Sequence, residues 1–276
     1  GSPISGYLLN LHGALGLEGW QWIFLVEALP ALVMAAAVFF YLTNTPSEAR
    51  WLNVEEKSWL RDRLDAEREN REAHFKKGWL RSVFNMRVIA LGLVYMAINI
   101  PQYGLSFFLP QIIKEFGVSD VKAGFIATLP YLVGGLGMIT WSLHSDRIGE
   151  RIWHCVIPFI AMIVGLSSAA VADGLQLKML ALCVAAWGFF SILPIFWTLP
   201  TAFLSGAGAA AGIAAVNSIG NLGGYFGPQV FGILKTTTQG DAAGLVFLAA
   251  VAAAGAILVW SLGHNPELEK SHPTIE

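Results

Sequence analysis

The sequence predicts an all-α membrane protein, a set of apolar helices interrupted by one long charged segment. Three observations carry that prediction. Hydrophobic residues fill 55% of the 276 positions and charged residues only 13%, about half the charge of a soluble domain. Residues 179–234 run for 56 positions without one Asp, Glu, Lys or Arg. At about 1.5 Å rise per residue, two antiparallel helices of that stretch each cross a hydrocarbon core of about 30 Å. The charges are also segregated, with nine of the 17 Lys and Arg inside residues 43–83. A net charge of −2 therefore says little about partners, and no basic cluster calls for nucleic acid. The two cysteines, Cys155 and Cys183, lie in apolar runs, which excludes a disulfide scaffold.

Taken in order, residues 1–10 read as the end of a spanning helix, and the chain as a piece of something longer. Gly19-Trp20-Gln21-Trp22 places two indoles where the next helix begins, as in an interfacial belt. That helix runs over 20–42 and contains a single acid, Glu27. Residues 43–83 form a hydrophilic linker. Thr45-Pro46-Ser47-Glu48 and Asn53-Val54-Glu55-Glu56 both carry helix-capping patterns. Trp51, Leu52, Trp59, Leu60 and Leu64 keep helical spacing, so an amphipathic surface helix is predicted.

Six spanning helices follow, at about 88–113, 123–145, 152–172, two across 179–234, and 242–266. The turn inside 179–234 is placed at Leu204-Ser205-Gly206-Ala207-Gly208. This gives four regions: a bundle fragment at 1–42, the linker at 43–83, a six-helix bundle at 84–264, and a tail at 265–276. The linker is rich in Lys and Arg, and the 143–151 connection holds Arg147 and Arg151. The alternate connections hold only Lys114, Lys122, Lys178 and Lys235. The basic side is read as cytoplasmic, and the tail returns to it. One and a half helices before the linker and six after it become symmetrical if a missing N-terminal half precedes them. Transporters are commonly built from such repeats, with substrate near the midplane.

Polar groups stranded in spanning helices mark candidate sites. Asn99, Gln102 and Tyr103 are neighbours at i, i+3 and i+4 around Pro101, which kinks the helix. Asn217 and Asn221, four apart, share a face. Trp197 and Tyr131 are candidate aromatic walls. Glu27 is a candidate proton site, and His144 and His154, flanking the 145–151 connection, are lesser candidates because histidine is the side chain suited to proton exchange. For each of these, interhelical bonding or packing is the competing reading. Gly220, Gly223, Gly224 and Gly227 predict close helix contact. The sequence offers no nucleophile–base pair, no metal-ligand spacing and no phosphate loop. It predicts neither an enzyme nor a metal site, and a proton is the one coupling species expected.

The connection Ser142-Leu143-His144-Ser145-Asp146-Arg147-Ile148-Gly149-Glu150-Arg151 needs Gly149 for its bend. Asp146 there can pair with Arg147 or Arg151. This segment resembles the cytoplasmic signature loop of the major facilitator superfamily, Gly-x-x-x-Asp-Arg-x-Gly-x-Arg, with Ser142 in place of the first Gly. Asp146, Arg147, Gly149, Glu150 and Arg151 fill the rest of the conformational motif. The whole chain is similar to the anion:cation symporter family within it, especially bacterial permeases for tartrate, phthalate and related carboxylates. The similarity rests on the loop and on Gly19-Trp20-Gln21-Trp22-Ile23-Phe24, Tyr103-Gly104-Leu105-Ser106-Phe107-Phe108-Leu109-Pro110, Phe196-Trp197-Thr198-Leu199-Pro200-Thr201 and Asn217-Ser218-Ile219-Gly220-Asn221-Leu222-Gly223-Gly224.

The resemblance implies helices six to twelve of a twelve-helix fold, plus the end of helix five, in a bacterial inner membrane. It implies proton-coupled uptake of a small organic anion (a dicarboxylate, aromatic acid or sugar acid) by alternating access. It places Asn221 where sugar-acid members contact substrate. The family's usual anion-binding arginine and proton-coupling carboxylate belong to helices one and four, so this chain is expected to hold half a site. An uncoupled facilitator or exchanger, or a non-transporting sensor or assembly partner, are the alternatives.

Overall fold

A computed structural model describes residues 2–75, 85–203 and 207–263. The chain divides into two compact units, Gly1–Gly78 and Trp79–Glu276.

In the first unit, α1 (Ser2–Leu8) gives way to two short 3-10 turns before α2 (Gly19–Tyr41). A capping box starts α2: the Glu18 amide donates to Gln21 Oε1 at 2.8 Å, reciprocated by the Glu18 side chain. The chain comes so close here that a Cβ on Gly19 would stand 2.6 Å from the Leu9 carbonyl oxygen. α2 is long and apolar enough to cross a membrane and buries almost nothing within its unit. The charged segment forms α3 (Val54–Phe75). Asn53 and Glu56 cap it reciprocally at 2.8 and 2.9 Å. The other capping pattern, at Thr45-Pro46-Ser47-Glu48, opens only a 3-10 turn over Pro46–Glu48. Residues 76–84 of the linker lie outside the described residues.

In the second unit, the charge-free runs become α4 (Met86–Lys114), α5 (Asp120–Ile148), α6 (Ile152–Val171), α7 (Leu175–Phe203), α8 (Ala207–Asn221), α9 (Gly223–Thr238) and α10 (Ala242–Ser261). α4 to α7 and α10 are each long and apolar enough to cross a bilayer. Helices outrun their apolar cores by several residues, because polar ends can continue a helix into the interface. The turn expected at 204–208 falls partly on residues 204–206, outside the described residues, as does the tail at 265–276.

The sequence predicts one helix where α8 and α9 stand. Only Leu222 separates them, and its backbone stays right-handed (φ −58, ψ −27). Its amide donates to the Ile219 carbonyl at 3.2 Å, a 3-10 contact that tightens the turn. Pro228 lacks the N–H that would engage the Gly224 carbonyl, so the ladder is already weak just beyond the break. The pair is one broken span.

α6 packs on α7 and α10, α5 on α7, and α4 on α8, α9 and α10. The core is formed by Leu91, Ile98, Phe159, Leu182, Phe196 and Phe231. Phe108 and Phe231 stack at 4.5 Å. The outer surface is as apolar as the core: Leu132, Leu136, Val164, Leu180, Val246 and Ile257 are all exposed. That inversion suits a lipid solvent, where spans gain no hydrophobic drive to associate and depend on close packing and polar contacts. At the outer end of the bundle, Lys178 and Asp241 form a buried ion pair at 3.0 and 3.2 Å, joining the start of α7 to that of α10.

Candidate functional site: a polar groove beside a broken helix

The site is built on the seam where α4 meets α8 and α9. The backbones nearly touch there. A Cβ on Gly227 would stand 2.4 Å from the Ile100 carbonyl oxygen, and one on Gly223 2.9 Å from that of Met96. Only glycine allows this approach. A Cβ on Gly224 would make only an ordinary contact, 3.5 Å from the Tyr103 ring.

Asn99 locks the seam. It is 2% exposed, and its Nδ2 donates to the Gly220 carbonyl at 3.0 Å. Tyr95, one turn earlier, lies over Gly220, where an added Cβ would fall 2.0 Å from its ring. Tyr95 in turn stacks on Phe196 at 5.3 Å and meets Trp197 edge-on at 4.9 Å. Through Tyr95, Trp197 joins the neighbourhood of Gly220 and Asn221.

On the exposed side of this seam two stripes run in parallel. α4 presents Tyr103, Phe107, Gln111 and, at its end, Glu115, each four residues after the last. α8 and α9 present Asn217, Asn221, Tyr225 and Gln229 at the same step. Such spacing keeps side chains on one helix face. Phe107, Gln111, Glu115, Tyr225 and Gln229 line one open groove of about 940 Å³. Tyr103 adjoins it through Gly224, and Asn221 Nδ2 donates to Asn217 Oδ1 at 3.0 Å just across the break. The side-chain amides of Gln111 and Gln229 make no hydrogen bond among the described residues, so they are available to a ligand. At the groove's outer end Lys235 Nζ donates to Glu115 Oε1.

Of the residues singled out in the sequence, Asn99, Tyr103, Asn217, Asn221 and Trp197 gather along this seam. Gln102 is half-buried on α4, adjacent to it in sequence. Tyr131 sits apart, on α5 edge-on to Phe190 of α7 at 6.0 Å. Glu27 lies in the first unit and accepts a hydrogen bond from Ser5 Oγ at 2.5 Å. Tyr95, Gln111, Glu115, Tyr225, Gln229 and Lys235 were not singled out. The four-residue step forward from Tyr103 and from Asn221 was the signal for most of them.

The cytoplasmic-type loop is a dense polar knot. Gly149 ends α5 at φ 78, a conformation glycine adopts without strain. Asp146 pairs with Arg151 at 2.7 Å, and Arg147 makes no ion pair among the described residues. Arg151 also donates to Ser145 Oγ at 2.9 Å. Glu150 caps α6, accepting from the amides of Trp153 and His154 at 2.6 and 3.1 Å. His154 reaches Glu150 at 2.7 Å and His144 at 2.8 Å. Ser142 donates back to the Met138 carbonyl at 2.5 Å.

The chain is similar to several known proteins. A protein from Agrobacterium vitis named "Putative tartrate transporter" is 43% identical over 265 residues, 96% of this chain and 59% of its own. A quinolone resistance transporter of Acinetobacter baumannii is 37% identical over 270 residues, 98% and 62% of the two chains. The inner membrane transport protein RhmT of Escherichia coli strain K12 is 38% identical over 272 residues, 96% and 61%. The chain spans about three-fifths of the length of these curated relatives. All three are named as transporters, none as an enzyme. The model of the Major Facilitator Superfamily matches residues 1–228 and again 93–275. Six apolar helices of membrane-crossing length, the loop at Asp146–Arg151 and these matches lead to one conclusion: the chain belongs to the Major Facilitator Superfamily and is a multi-pass membrane chain.

Proposed function

We propose that the protein carrying this chain is a proton-coupled permease of the bacterial inner membrane that takes up a small organic anion by alternating access. The observation that supports this reading best is the pair of facing stripes, Tyr103–Phe107–Gln111 on α4 and Asn221–Tyr225–Gln229 across the broken span. Amides and phenols on an exposed face of a spanning helix cost several kcal/mol against lipid unless they face water or another polar surface. A substrate path satisfies them. Gln102, Tyr103, Asn217 and Asn221 orient the substrate's hydroxyl or aromatic part, with Trp197 as the apolar wall at the seam and Tyr131, on α5, as a separate wall further along the path. Asn99 acts through the Gly220 carbonyl to hold the seam.

The substrate carboxylate and the transported proton are bound chiefly by the N-terminal half, as the family resemblance suggests. Glu27, held by Ser5, is the candidate proton carrier within this chain. The break at Leu222 lets α8 and α9 change their mutual angle while α4 stays packed. The Asp146–Arg151 pair holds the cytoplasmic loop in one state and parts in the other. The relatives named for tartrate and for quinolones support a carboxylate-bearing substrate.

Uptake of labelled tartrate and phthalate by the full-length protein in vesicles, with and without a pH gradient, tests the proposal. Accumulation driven by inward proton flow is expected, with Asn221→Ala raising KM. Saturable uptake indifferent to the gradient would identify a facilitator instead. No uptake of any small organic anion would refute the reading.

A further inference from the structure

Among the described residues the groove has one lining cation, Lys235, at its outer end, four-fifths buried on its side chain and bound to the half-exposed Glu115. The other polar side chains there are neutral: Gln111, Tyr225, Gln229, Thr236 and Gln239. The Thr236 hydroxyl is spent on the Gly232 and Ile233 carbonyls. The Gln239 amide donates to the Thr236 carbonyl at 2.7 Å, whereas the side-chain amides of Gln111 and Gln229 make no hydrogen bond among the described residues. Neighbouring charges are already paired with one another, Lys114 with Asp120 and Lys178 with Asp241. Among the described residues Lys235 is therefore the one ammonium that faces the groove, and its counter-ion is a single carboxylate on a more exposed helix end.

An ammonium held by one half-exposed carboxylate is an exchangeable site. A second carboxylate arriving in the groove meets the same donor, two free amides within the same walls, and the rings of Phe107 and Tyr225, whose positive edges tolerate an anion. We propose that this end of the groove is a docking site for small carboxylates, where the substrate's carboxylate takes the place of Glu115 on Lys235 before passing inward toward Asn221. The site rests on the organic-anion reading above and adds to it a named cation and a named competitor. Exchange conserves charge: one carboxylate leaves Lys235 as another binds, and no proton needs to move.

This assignment gives the two partners opposite effects, which a structural clamp cannot do. Binding of L-tartrate to the purified full-length protein is measured by calorimetry at constant ionic strength. Lys235→Gln should weaken binding at least about tenfold, the low end of what losing one direct charge partner costs. Glu115→Gln should tighten it several-fold, because the competitor is gone. Lys235→Arg should stay near wild type. The double variant should be as weak as Lys235→Gln alone, with each protein's thermal unfolding recorded to confirm folding. If the pair is a clamp, both single variants weaken binding and the double recovers it, and the inference falls. Equal loss of tartrate on adding sulfate at the same ionic strength, or no tartrate binding by wild type, also overturns it. The transport reading is judged separately, by the uptake of phthalate and other organic anions.

Discussion

The buried pair Lys178–Asp241 gives the sharpest stability prediction. Both Lys178 Nζ contacts reach the carboxylate, at 3.0 and 3.2 Å, and the side chains are only 10% and 9% exposed. Phe116 lies 5.8 Å from the same ammonium, so the pair gathers the ends of α4, α7 and α10. At an effective dielectric of about 20, two charges 3 Å apart attract by roughly 5 kcal/mol, much of it offset by desolvation. Removing one partner leaves the other charge buried without that compensation and costs about 3–5 kcal/mol. Asp241→Asn keeps the shape and removes the charge, so it isolates this effect. Lys178→Met does so from the other side. The double Lys178→Met/Asp241→Leu should cost far less than either single change, since no charge is stranded. Unfolding by SDS titration of the purified protein, run as a double-mutant cycle, reads the coupling. Single variants each losing under about 0.5 kcal/mol, or a double equal to their sum, would refute the argument.

Asn99→Leu should cost about 1–3 kcal/mol in the same titration through the lost Gly220 contact, while leaving tartrate affinity nearly unchanged; Asn221→Ala should do the reverse. Gly227→Ala drives a methyl into the Ile100 carbonyl. An overpacking cost of about 1–3 kcal/mol is expected, together with reduced uptake as the seam opens, read by titration and vesicle flux. Glu150→Gln removes the carboxylate at the start of α6 and should cost about 0.5–2 kcal/mol, checked by thermal unfolding.

The helices were legible because their cause is local. Charge-free runs of 20 or more residues have no soluble alternative, and Gly149 marked its turn by chemistry alone. The break at Leu222 was not legible, since its causes are spread over the tightened turn to the Ile219 carbonyl, the missing N–H of Pro228 and the approach of Gly223 to the Met96 carbonyl. Candidate site residues were found where polarity stood out against apolar neighbours, as at Asn99, Tyr103 and Asn221. Glu115 and Lys235 looked like ordinary ends of connections. Only the fold brings them together across 120 residues, and only the groove gives that meeting a purpose. Tyr95 was missed for the opposite reason: one aromatic among many apolar residues carries no signal until Gly220 is seen beneath it.

The account depends on one surface of α4, α8 and α9 being wet while the rest of the bundle is not. Single cysteines at positions 103, 107, 111, 221, 225 and 229, in full-length protein lacking Cys155 and Cys183, can be probed in intact membranes with a charged thiol reagent. The prediction is rapid labelling of these six, slowed by tartrate, beside negligible labelling at the lipid-facing positions 132, 136, 164 and 180. Equal, slow labelling at all ten would contradict it.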